Sequence, residues 1–160
     1  MNAQPNLCAD RLDPGALAHA LRDTLARALA IVALGAVALI HLLDLPGTFQ
    51  TQAYKGVLYL LLIGGCVVVA ARLLTTSDRR AWWLAFLLPA GAMVAYVVSR
   101  TIGIPGGADD IGNWGEPLGI ASLFVEGALV TLAGAVLSAV RLPAGAESRS
   151  RLAARLEAVM

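Results

Sequence analysis

Charge is what this sequence has little of. Only 14% of its 160 residues are Asp, Glu, Lys or Arg, and 58% are hydrophobic. Soluble domains carry about 25% charged residues. The deficit is local, because long windows contain no charge at all. With a mean hydropathy of +0.73, the chain falls in the membrane class. Cysteine is nearly missing too. Cys8 stands in a polar tail and Cys66 midway along an apolar run, so no disulfide is expected between them. No Cys/His spacing resembles a zinc site. The opening residues, MNAQPNLCADRLDPG, lack a short basic start and a small-residue cleavage site. The first span is therefore expected to stay attached. Two Gly-Gly pieces have no strand before them and no Gly-Lys-Ser/Thr after them, which excludes a phosphate-binding loop. No nucleophile elbow or zinc-protease helix occurs, so an enzyme ranks below a non-enzymatic role. No nucleic-acid partner is expected.

What the chain does have is four long apolar runs. Residues 1–12 read as a flexible tail. Asp13 and Pro14 then offer a helix cap and a first-turn proline. Leu17, Leu21, Leu25 and Ala28 recur at helical spacing, which predicts an amphipathic juxtamembrane piece. The spans are expected at about 27–45, 54–74, 81–99 and 117–140, inside a membrane domain of residues 13–141. Leu45-Pro46-Gly47 is expected to break the first helix. Gly64 and Gly65 sit at the centre of span two and allow close helix approach. Trp82 and Trp83 open span three, where interfacial aromatic anchors are expected. Pro89 predicts a kink. The link from Thr101 to Glu116 is too rich in glycine and proline to be helical throughout. Residues 142–160 form a polar tail in which Leu152, Leu156 and Val159 fit a short surface helix.

Cations set the orientation. Arg11, Arg22, Arg27, Arg72, Arg79, Arg80, Arg141, Arg149, Arg151 and Arg155 fall on one side. Lys55 and Arg100 fall on the other. The expectation is an all-α, integral membrane four-helix bundle with both termini cytoplasmic, multi-pass in a bacterial cytoplasmic (plasma) membrane.

That topology gathers polar residues at the outer ends of the spans. Tyr96 and Arg100 share a face at i, i+4, and His41 and Asp44 share one at i, i+3. Asp109, Asp110 and Glu116 join them, with Ser122 one turn above Glu126. Glu126 is the strongest signal, lying roughly 14 Å along the helix from Pro117. A charge at such depth costs about 2.5–3.5 kcal/mol or more and marks a functional site by default. Three readings follow. In the first, Arg100 pairs with Glu126 or Glu116, Tyr96 bonds the carboxylate, and the cluster fixes packing. In the second, His41 and Glu126 with the outer acids hold a divalent metal or a proton. In the third, the polar cap docks a larger membrane complex or an exported partner. Protonation of Glu126 is a further way to lower its cost. His19 and His41 lie on one continuous helix and cannot bracket a haem.

The run SRTIGIPGGADDIGNWGEPLGIASLFVE, with IHLLD upstream, resembles a pattern in an uncharacterised family of small four-span membrane proteins of high-GC bacteria. That pattern is SRT-x-G-[Ile/Leu]-P, then Glu-Pro-Leu-Gly, then a membrane Glu, preceded by an outer histidine motif. Ser99, Arg100, Thr101, Gly103, Pro105, Glu116, Gly119 and Glu126 occupy its positions. Ile104 replaces a leucine, and His41 stands alone in the histidine region. The resemblance implies the four-span fold and marks these residues without supplying a reaction. The expected role is an accessory or scaffolding subunit of a membrane complex. The alternative is a metal- or proton-handling transporter or sensor using His41, Arg100 and Glu126, which at this size calls for a homo-oligomer.

Overall fold

A computed structural model of the protein describes residues 14–76 and 78–139. The expected tails, and with them Cys8, Asp13 and Arg141, lie outside the described residues. Four helices run up and down: α1 Pro14–Thr51, α2 Ala53–Thr75, α3 Arg79–Thr101 and α4 Pro117–Ala139. Each contains an apolar window long enough to cross a bilayer. Their outer faces are covered in exposed Leu, Val, Ile and Phe, among them Leu39, Leu61, Val68 and Phe124. Such a surface belongs against acyl chains.

The first helix does not break at Pro46. It continues to Thr51, and Gln52 is the one residue between α1 and α2. Proline costs the helix one hydrogen bond, and packing against α2 offsets that loss here. Thr51 Oγ1 donates to Gly47 O at 3.2 Å. The Phe49 ring lies so close to Gly56 that a Cβ there would sit 2.6 Å from it. This contact holds the last turn of α1 against the first turn of α2. Pro89 likewise lies within α3 without ending it.

Buried residues fall mostly three or four positions apart along the helices, the stripe that bundle packing requires. On α1 they are Ala30, Leu34, Val37, His41 and Thr48. On α4 they are Ser122, Glu126, Leu129, Ala133 and Leu137. Cys66, Val69 and Leu73 of α2 and Ala81, Trp82 and Ala85 of α3 complete the apolar core. Trp82 corrects an expectation, because it is turned inward and is not an interfacial anchor. Its large ring is buried with Ala81 and Ala85 in the apolar core. Trp83 is the more exposed of the two.

The helix ends sort into two groups. Arg27, Arg72, Arg79 and Arg80 mark one end, where Asp78 caps α3 by accepting from Arg80 N and from Ala81 N. The loop of residues 102–116 closes the other. Gly103 lets that loop leave α3: its φ of +83° is open to glycine, and its N–H bonds Val98 O at 3.0 Å.

Candidate functional site

The loop end of the bundle carries the polar side chains, and two clusters separate there. The upper cluster straps the loop down. Arg100, on the last turn of α3, is 6% exposed. It donates to Asp110 Oδ1 at 2.5 Å and also to Glu116. Lys55 of α2 reaches the other oxygen of Asp110 at 2.6 Å. Gln52 and Tyr54 donate to the carbonyls of Gly106 and Pro105 at 2.5 and 2.7 Å. One loop carboxylate is thus shared by cations from two helices. Burial alone would raise the pKa of Asp110. Hydrogen bonds and charge from Lys55 and Arg100 outweigh it and hold the group below its ordinary 3.8.

The lower cluster lies deeper. Glu126 is 1% exposed and His41 8%. Ser122 Oγ donates to Glu126 Oε1 at 2.8 Å, one turn along α4. His41 Nε2 approaches the same oxygen at 3.8 Å. The other imidazole nitrogen, Nδ1, lies 2.9 Å from Val37 O. A carbonyl only accepts, so Nδ1 carries hydrogen and Nε2 is the nitrogen left to take or release a proton toward Glu126. Asp44 sits one turn further along α1, where Tyr59 and Thr48 donate to its Oδ2 at 3.1 and 3.3 Å. The Tyr59 and His41 rings meet edge to face, 4.7 Å between centroids.

These contacts choose between the two expected pairings. Arg100 bonds Glu116 and not Glu126, because the loop brings acids to the end of α3 while Glu126 lies a helical half-length below. Tyr96 bonds no carboxylate among the described residues either. Its ring lies under the Arg100 guanidinium, 4.9 Å from centroid to carbon. Its hydroxyl packs over Gly119, where a Cβ would meet it at 2.9 Å. Thr48 and Tyr59 were not among the expected site residues. The i, i+4 spacing of Asp44 with Thr48, and of Lys55 with Tyr59, is the signal that places them on the same faces.

Between the clusters lies a cavity of about 780 Å³ that reaches from Glu126 and His41 up to Arg100 and Asp110. No three His, Cys, Asp or Glu side chains converge to hold a metal ion among the described residues. His41 and Glu126 supply two donors, fewer than a zinc site takes. A divalent ion there would need a further ligand from elsewhere.

Fold and surface together define a small multi-pass membrane protein in contact with a lipid bilayer. No family model matches the chain, and no curated protein or solved structure matches it either.

Proposed function

We propose that this protein handles protons in the membrane through the His41–Glu126 pair, as a carrier or a sensor. The observation that supports it is the pairing of a 1% exposed carboxylate with an imidazole nitrogen at 3.8 Å. Val37 O occupies the other imidazole nitrogen, so one additional proton has two addresses, Nε2 and the carboxylate. Proton relays in membranes are built from such groups. Ser122 orients the carboxylate, and Asp44, Tyr59 and Cys66 are the other titratable groups nearest the pair. Arg100 belongs to the loop strap in this reading. Orientation follows the cations: Arg22, Arg27, Arg72, Arg79 and Arg80 face the cytoplasm of a bacterial plasma membrane, and the cavity faces outward. Infrared spectroscopy across a pH series tests the proposal. A protonated-carboxyl band that varies with pH should vanish in Glu126→Gln and shift in His41→Ala. A spectrum unchanged by Glu126→Gln sinks it.

A second reading, an accessory or scaffolding subunit of a larger complex or a homo-oligomer, draws on α1. Its 38 residues span about 57 Å, against a hydrocarbon core of about 30 Å. The overhang carries Leu17, Leu21 and Leu25, each about half exposed. Co-purification in mild detergent, with and without residues 14–25, tests whether that overhang holds a partner.

A further inference from the structure

The cavity has a charge imbalance that a proton pair leaves unexplained. Its two fixed cations, Lys55 and Arg100, are already paired with Asp110 and Glu116. Asp44 and Glu126 remain. Asp44 receives hydroxyls on Oδ2 alone, and no cation reaches it among the described residues. Glu126 engages Ser122 and His41 through Oε1, and Oε2 has no partner among the described residues. One proton on the His41–Glu126 pair balances Glu126 and leaves the charge of Asp44.

The walls say what kind of cation would balance it. Ile40, Leu58, Leu62, Val94 and Leu118 line the cavity with aliphatic surface, and Tyr54, Tyr59 and Tyr96 add aromatic rings. A volume of 780 Å³ falls within the roughly 300–1,000 Å³ of small-molecule sites. Tyrosine rings attract cations, and the scattered acids do not form a metal cage. The mouth is visible in the exposure of the lining. Leu58 of α2 and Val94 of α3 both border the cavity, and with both more than half exposed the mouth is assigned to the gap between these two helices. Toward the arginine end the same two helices close up, with Leu88 of α3 against Gly65 of α2.

We infer that this cavity binds a monovalent lipophilic organic cation, entering from the bilayer between α2 and α3 and held by Asp44 and Glu126 beside Tyr59. The inference rests on the proposed proton site only in sharing Glu126. Calorimetry of the detergent-purified full chain with tetraphenylphosphonium tests it, with tetraphenylborate as an anion of the same shape. The phosphonium should bind saturably and the borate should not. Asp44→Asn should weaken phosphonium binding about tenfold, the loss of one modest charge contact. Gly91 lines the cavity with open space at its Cβ position, so Gly91→Leu should block binding with an unchanged melting profile. If Asp44→Asn fails to fold, Gly91→Leu alone decides. Equal binding of both ions, or full affinity in the folded variants, overturns the inference. The infrared band of Glu126 separates the two readings. Its persistence without phosphonium binding removes the cation site alone, and phosphonium binding without the band removes the proton site alone.

Discussion

The arginine half and the loop half of this bundle are built on the same buried stripe and end as different materials. On α1 the stripe runs Ala30, Leu34, Val37 and then His41 and Thr48. On α4 it runs Leu137, Ala133, Leu129 and then Glu126 and Ser122. Aliphatic residues come first and polar ones follow, and the change falls at the same level on both helices. Below it, small and branched side chains pack into one apolar cluster, which is what holds helices together when lipid is as apolar as the core. Above it, the helices enclose a cavity, and ion pairs to the loop take over the task of closure. Helical periodicity sets where a residue points, and residue type sets whether that place is packed or hollow.

The largest test of the contrast is Arg100→Met. It should destabilise the bundle by about 3 kcal/mol, the low end for breaking a buried pair, because Asp110 and Glu116 keep some access to water. Detergent-denaturant unfolding would measure it, and adding Asp110→Asn should recover part of the loss. Next comes the packed half. Leu129→Ala should cost about 2 kcal/mol, the low end for a core truncation, since lipid supplies no transfer term. The equivalent change at Leu58, which borders the cavity, should stay within about 0.5 kcal/mol. Equal costs at the two sites would show that the halves do not differ in packing. Ser122→Ala is smaller, about 1 kcal/mol for one hydrogen bond to Glu126, and should also alter the infrared band of that carboxyl. The smallest effect is the acid response of the loop. Asp110 is held below 3.8 when folded, so its contribution is fully present above that pH. It fades as pH falls through the depressed value. Hydrogen exchange at residues 103–112 should therefore quicken only in strong acid, and Asp110→Asn should remove that dependence.

Much of this was legible in the residues. Four apolar runs of bilayer length, only one of them interrupted by a deep charge at Glu126, force the four long helices of the described residues, because hydrocarbon tolerates no unpaired backbone. The depth of Glu126 singled that residue out from one position on one helix. Partner choice was less legible. Spacing placed Arg100 near Glu116 and Glu126 alike, and the path of residues 102–116, which periodicity does not describe, selected Glu116 and added Asp110. Pro46 was read as a stop because a helix alone loses a hydrogen bond there, and contacts with α2 carry it to Thr51. Trp82 was read as an anchor because its place in the chain is interfacial, and its position on the stripe turns it inward.

By itself the sequence determined the four long helices of the described residues, their membrane setting and that charged side chains such as Arg100 and Glu116 gather at one end. Those follow from hydropathy and the helical repeat, which act within each segment. Only the tertiary structure decided that Glu126 faces His41 and Ser122, that Arg100 and Lys55 share Asp110, and that a cavity lies between. Those outcomes depend on how separate helices and one irregular loop fit against each other, and no local rule specifies that fit.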